Sequence, residues 1–236
     1  MSEAVAEEIV AVEVKAPVRA PVWPALLLLA LALILGLLAT FDVGQLTERS
    51  FVKAVAFREN VTSDALIVIA QWVTWVGDAA QRTLAMAVFA GWLFWRKRGY
   101  AALVMLIAPP LAGASSSILK EIFGRARPDV VPHLDVVSNL SFPSGHATNA
   151  MATYLLAALL IAQIRRSLWV ALAIAVAATI GASRILLGVH WPSDVIGGWL
   201  WGAAIALIGL TVAQRMEAGQ NAKRKPILMS RPPSGA

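Results

Sequence analysis

The chain of 236 residues has no cysteine, so it can form neither a disulfide frame nor a thiolate nucleophile, and its redox compartment stays open. Charge is scarce as well. Asp, Glu, Lys and Arg make up 14% of the residues, against roughly 25% in soluble domains. Apolar residues reach 58%, a balance that points to lipid as the solvent. Histidine occurs only three times, which makes each position informative. There is no internal repeat, and no small-x-small cleavage pattern closes the first apolar run at Ala39-Thr40. That run follows Glu3, Glu7, Glu8 and Glu13 rather than a basic leader, so it reads as an anchor and not a secretory signal.

Apolar stretches able to cross a hydrocarbon core, about 20 residues each, lie near 23 to 40, 100 to 118, 146 to 163, 168 to 183 and 195 to 213. A shorter one near 82 to 95 ends in Trp92-Leu93-Phe94-Trp95-Arg96-Lys97-Arg98, the aromatic and basic signature of a span meeting the interface. The expected fold is therefore all-α, a polytopic membrane helical bundle of six transmembrane helices over 22-216, with flexible tails at 1-21 and 217-236. Asp64 to Val76 is apolar but interrupted by Gln71 and Thr74, and is expected to lie on the outer surface as an interfacial helix with Trp72 and Trp75 at headgroup depth. A spanning reading of that segment would give seven spans and put the termini on opposite sides. Pro109-Pro110 should kink the third span, because proline removes a backbone donor and clashes with the preceding turn.

The net charge of +6 raises nucleic acid as a partner, but its distribution follows the membrane. With a cytoplasmic N-terminus, the inner segments hold Lys15, Arg19, Arg96, Lys97, Arg98, Arg165, Arg166, Arg215, Lys223, Arg224, Lys225 and Arg231, which is 12 of the 20 cations. Both termini are thus expected in the cytoplasm. Arg96-Lys97-Arg98 and Lys223-Arg224-Lys225 read as topology determinants rather than nucleic-acid contacts.

Three polar clusters then fall on the outer face. In Lys120 to Pro128, two cations seven residues apart, Lys120 and Arg127, can lie on one side of a helical segment. Taken alone, such cations snorkel to water or pair with a helix C-terminus. In Ser141-Phe-Pro143-Ser144-Gly145-His146, Ser144 stands where an N-cap would, Gly145 lets another group approach the backbone, and the free N–H groups make an anion site beside His146. The plainer account is a capped helix with an incidental histidine. In Ser183-Arg184 to Asp194, Pro192 suits the first helical position, so Asp194 falls in the opening turn and can reach back to His190, fixing its tautomer. The topology gathers all three clusters on one face. Lys120, Arg127 and Arg184 can neutralise a phosphoryl group, the amides near Ser144 and Gly145 add donors, His190 can attack phosphorus, and His146 can protonate a leaving oxygen.

Lysine, six residues, Arg-Pro (Lys120 to Pro128), then Pro-Ser-Gly-His (Pro143 to His146), then Ser-Arg, five residues, His, three residues, Asp (Ser183 to Asp194) resembles the type 2 phosphatidic acid phosphatase family, whose relatives include glucose-6-phosphatase and the vanadium haloperoxidases. The resemblance covers residues of about 22 to 215. It implies a metal-independent phosphatase without cofactor, in which His190 forms a phosphohistidine, Asp194 orients it, His146 is the general acid, and Lys120, Arg127, Ser144, Gly145 and Arg184 bind the phosphate. Arg125 and His133 lie outside the family pattern and read as solvated loop residues, with Arg125 an alternative partner for a second phosphate.

The expectation is a lipid phosphatase in a bacterial-type cytoplasmic membrane, acting at the periplasmic or extracellular face on an isoprenyl diphosphate such as undecaprenyl diphosphate, on phosphatidylglycerophosphate or on phosphatidic acid. Its partners would be the bilayer and the lipid phosphate, with no nucleic acid. The rivals are a lipid phosphotransferase using the same phosphohistidine, a lipid-binding or transport protein without turnover, and a haloperoxidase, which the many spans disfavour.

Overall fold

In the computed structural model, residues 21–137, 140–161 and 166–224 are described. They form eight helices: α1 (Trp23–Thr40), α2 (Gln45–Val55), α3 (Asp64–Val76), α4 (Ala79–Trp95), α5 (Gly99–Phe123), α6 (Gly145–Ile161), α7 (Arg166–Leu186) and α8 (Pro192–Arg224). Among the described residues there is no strand, only an isolated bridge between Ala126 and Leu140.

Four of these helices, α1, α5, α7 and α8, are long and apolar enough to cross a bilayer. The α6 helix and the 17-residue α4 are shorter. At 1.5 Å per residue, α4 extends roughly 25 Å, close to a hydrocarbon core of about 30 Å. The 13-residue α3 reaches only about 20 Å.

The residue pattern is inverted relative to a soluble bundle. On α1 the buried positions are Ala25, Ala32, Gly36 and Ala39, while Leu27, Ile34 and Leu37 are exposed. Without water to expel, helices gain most from small residues that let backbones approach. Helix α8 shows this against α6. A Cβ at Gly198 would stand 2.7 Å from the Ser144 carbonyl, and one at Gly202 would overlap the Thr148 carbonyl. Phe142 plugs one end of the bundle, its ring in the space that a Cβ on Gly36 of α1 or Gly197 of α8 would fill. It meets Phe123 edge-on at 5.1 Å between centroids.

Several details go beyond the sequence pattern. Helix α5 runs continuously through Pro109 and Pro110. Helix α8 continues to Arg224, past the tail boundary expected at residue 216, with Glu217 ion-paired to Arg98 at 3.0 Å. The remaining tail residues, 1–20 and 225–236, lie outside the described set. Helix α2 was not anticipated; it buries Val52 against Val131 and Trp191, while Leu46 and Phe51 remain exposed. Between α6 positions Met151 and Leu155 the helix widens to a π turn that includes Tyr154.

Candidate active site

The site is assembled from segments that follow helix ends. Gly124, at φ +57, terminates α5 in the left-handed conformation that glycine tolerates, and its N–H closes on the Lys120 carbonyl. The chain then runs beside Leu140 and Ser141, whose N–H donates to the Arg125 carbonyl at 2.8 Å. Lys120 Nζ spans the same seam, donating to the Leu140 and Ser141 carbonyls at 3.2 and 3.0 Å. Lys120 and Arg127 therefore do not share a helical face, as their spacing had suggested: the αL turn at Gly124 intervenes. They remain within electrostatic reach of each other and of Arg184.

His190 follows a turn at Gly188, where φ is +74 and an added Cβ would meet Val131 and the Pro132 carbonyl within 3 Å. Its ring is buried. Nδ1 faces Asp194 Oδ2 at 3.2 Å, and Nε2 lies 3.0 Å from Arg127 Nη1, which also donates to the Val189 carbonyl at 2.6 Å. Helix α8 begins at Pro192, so Asp194 sits in its first turn. Asp194 is fully buried and densely held. Oδ2 accepts from the Trp191 N–H at 2.8 Å and from the Ser141 hydroxyl, and Oδ1 accepts from Arg125 at 2.6 Å. A carboxylate so supplied with donors stays ionised, directs the His190 proton to Nδ1, and leaves Nε2 with a lone pair.

Burial pulls the His190 imidazole from its ordinary 6.5 down to about 3, reinforced by the charges of Arg127 and Lys120 and opposed by the hydrogen bond and charge of Asp194. It is neutral at neutral pH. Burial, with the charge of Arg184, also lowers Arg127 to about 10, which still leaves it cationic.

His146 occupies the first turn of α6, its Nε2 2.8 Å from Asp78 Oδ1. Arg184 is buried near the end of α7, where Nη1 donates to Thr74 Oγ1 at 2.7 Å and pairs with Asp135. Ser144 stands at the N-cap of α6 but makes no side-chain cap, contrary to expectation. Its backbone is engaged instead, the N–H on the Asp194 carbonyl at 2.9 Å and the carbonyl on Thr148. The hydroxyl turns inward. Ser144 Oγ and Arg184 Nε are both buried and have no hydrogen-bond partner among the described residues. A Cβ on Gly145 would meet nothing within 4 Å, so the space beside that backbone is open.

Arg125 requires a correction. It is a buried residue, not a solvated one, and its guanidinium is committed inward: to Asp194, to Ser193 Oγ at 2.6 Å and to Glu48 of α2 at 2.5 Å, with its carbon 5.6 Å over the Trp191 ring. Those donors are not directed at a second phosphate. His133 lies in the exposed loop, within 2.7 Å of the Pro128 carbonyl. Sequence reasoning missed Glu48, Thr74, Asp78 and Asp135 and gave Ser141 no role. Each reaches the site across 49 to 110 residues, a separation that no local spacing signals.

An all-helical bundle with apolar spans, carrying a neutral imidazole backed by a buried carboxylate among three cations, defines a narrow class of membrane protein. The chain belongs to the PAP2 superfamily, whose model matches residues 98–217. It is 35% identical over 125 residues to phosphatidylglycerophosphatase B of Bacillus subtilis, covering 50% of this chain and 61% of the relative. Lipid A 1-phosphatase of Rhizobium johnstonii is 31% identical over 57% of this chain and 53% of its own length. Decaprenylphosphoryl-5-phosphoribose phosphatase of Mycobacterium tuberculosis is 40% identical over 42% of this chain and 53% of its own. The chain thus spans between half and two thirds of these curated relatives. The crystal structure of the transmembrane PAP2-type phosphatidylglycerolphosphate phosphatase from Bacillus subtilis superimposes with a TM-score of 0.72 at 26% identity, covering 86% of this chain and 98% of that one. These similarities and the apolar helices make this a multi-pass membrane protein.

Proposed function

We propose that the chain is a membrane lipid phosphatase that works through a phosphohistidine on His190. The observation that carries this reading is the pairing of a neutral, carboxylate-backed imidazole with two buried donors that have no partner among the described residues, Ser144 Oγ and Arg184 Nε. A tetrahedral oxyanion is a suitable acceptor for both, and buried polar groups rarely remain without one.

In the first step the His190 Nε2 lone pair forms a bond to phosphorus while the bond to the lipid oxygen breaks. A proton from His146 goes to that oxygen, releasing the alcohol or, from a diphosphate, the lipid monophosphate. Arg127, already at Nε2, passes to the phosphoryl oxygens, and with Lys120 and Arg184 offsets the charge of the transition state. Asp194 holds the Nδ1 proton throughout. In the second step His146 accepts a proton from water, whose oxygen attacks phosphorus and expels His190 Nε2, giving inorganic phosphate and restoring the enzyme.

A six-span topology supports this chemistry, with α1 and α4 to α8 crossing the membrane, α3 lying at the interface, both termini cytoplasmic and the site at the outer face. The lipid class rests on two observations. The relatives' names all denote phosphatases of lipid-linked phosphates. In addition, a predominantly apolar crevice of about 410 Å³ opens between α4, α6 and α7, lined by Phe89, Trp92, Tyr154 and Trp169 among others, and it suits a hydrocarbon tail. An isoprenyl diphosphate, phosphatidylglycerophosphate and phosphatidic acid all meet these demands.

The test is release of inorganic phosphate by the purified protein from these three lipids, with chelator present. Turnover by the wild type and none by His190→Ala is the expected result. Undiminished turnover by His190→Ala would overturn the nucleophile, and transfer of phosphate to a second lipid without release would overturn hydrolysis.

A further inference from the structure

The turn between α3 and α4, Gly77-Asp78, lies outside all three motifs yet is pressed against His146. A Cβ on Gly77 would stand 3.1 Å from His146 Cδ2 and 2.7 Å from Ile180 Cγ2, so only glycine fits while the ring keeps its place. The turn is tied down on both sides. Arg82, one helical turn into α4, donates to the Gly77 carbonyl at 3.1 Å, and the Tyr154 hydroxyl of α6 reaches the Val76 carbonyl at 3.5 Å. Asp78 is thereby presented to Nε2 of His146 at 2.8 Å while its side chain remains about half exposed.

We infer that Asp78 is a positioning residue for the general acid, fixing His146 as Asp194 fixes His190. This rests on the reading of His146 as the group that protonates the leaving oxygen. A ring donating Nε2–H to a fixed carboxylate has one tautomer and one orientation, which leaves Nδ1 to carry the proton that moves. When that proton passes to the lipid oxygen, Nε2–H stays on Asp78 and the ring becomes neutral. When water is activated in the second step, Nδ1 recovers a proton and the carboxylate faces the resulting imidazolium. Two other charged groups act on the ring from neighbouring elements, Arg184 of α7 and Asp135 of the outer loop. They are bonded to each other, and Asp78 is the carboxylate hydrogen-bonded to the imidazole. The site would then consist of two carboxylate–imidazole pairs, one holding the nucleophile and one holding the acid.

The experiment is a double-mutant cycle between Asp78 and His146, read as phosphate release from phosphatidic acid or whichever lipid the wild type hydrolyses fastest. His146→Ala should lose roughly 10² to 10⁴ in kcat, as expected for a general acid. Asp78→Asn should lose about 10 to 100-fold, the range typical of a group that orients another, with KM little changed, and Asp78→Glu should recover part of it. In the His146→Ala background, Asp78→Asn should cost nothing further, because its effect passes through the ring. Asp78→Glu serves as a second variant should Asp78→Asn fail to fold, and its loss should likewise vanish without His146. Independent, multiplying losses in the cycle, or wild-type kcat in Asp78→Asn, would overturn the inference while leaving the phosphatase reading intact. An absence of phosphate release by the wild type would instead remove the reading on which it rests.

Discussion

Replacing Arg125 by alanine removes a cation that touches both Asp194 and Glu48. Asp194 is fully buried and Glu48 is nearly so, with 14% of its side chain exposed. Deleting one partner of a buried ion pair costs about 3 to 5 kcal/mol, because the remaining charge is left without compensation. Here Asp194 keeps the Trp191 N–H, the Ser141 hydroxyl and His190 Nδ1, and Glu48 keeps the Ser193 N–H at 2.8 Å. The loss should therefore fall near the lower end, about 3 kcal/mol. For a chain of this size that corresponds to a fall in Tm on the order of 6–12 °C, measured by thermal unfolding in detergent. Arg125→Lys should recover only part of it, since an ammonium does not reproduce a planar fork reaching three oxygens. Activity should fall on monophosphates and diphosphates alike, because the damage is to the support of His190 and not to a substrate contact. An Arg125→Ala protein with unchanged Tm would refute the account of the clamp. A loss confined to diphosphates would return Arg125 to the substrate.

Three further outcomes follow from other parts of the structure. Ser144→Ala removes a buried hydroxyl that has no partner among the described residues, so the ligand-free protein should lose no stability, while binding of inorganic phosphate, measured by calorimetry, should weaken roughly 10-fold or more, the worth of a hydrogen bond to a charged group. His190 has its pKa depressed from 6.5 to about 3: the unfolded chain takes up a proton that the folded one refuses, so this stability is complete above pH 6.5 and is lost as pH falls toward 3. Thermal stability should thus decline more steeply between pH 7 and 5 in the wild type than in His190→Ala, and equal slopes would refute the burial argument. Gly202→Ala pushes a methyl into the Thr148 carbonyl, a backbone atom that cannot rotate away, and should cost about 1 to 3 kcal/mol with a measurable fall in kcat.

What could be read from the sequence was local. His190 and Asp194 are four residues apart at a helix start marked by Pro192, and the apolar runs locate most of the helices near their observed ends, the exception being α8, which continues well past residue 213 to Arg224. The failures have separate causes. Arg127 left the expected helical face because Gly124 takes a left-handed conformation, a choice invisible in a spacing count. Ser144 occupies the cap position without capping, because its amide is already committed to Asp194 on another helix. Glu48 and Asp78 carry no motif around them; they are recognisable only once α2 and the α3–α4 turn are folded against the other segments. Helix α2 itself is short and rich in polar residues, so a search for long apolar runs passes over it.

The glycine seam between α6 and α8 has a consequence for how such a site can diversify. His146 rides on one of these helices and Asp194 on the other, and where Gly198 and Gly202 cross there is no side chain to act as a cushion. The separation of the two halves of the site is therefore a property of the main chain, fixed on the fine scale that the proposed catalysis would require. Point substitutions have little room to retune it gradually. Under the proposed function, evolution of a new lipid preference would have to work at the periphery, on the α4–α6–α7 crevice and the loops around the site, while the machine at the centre keeps one gauge.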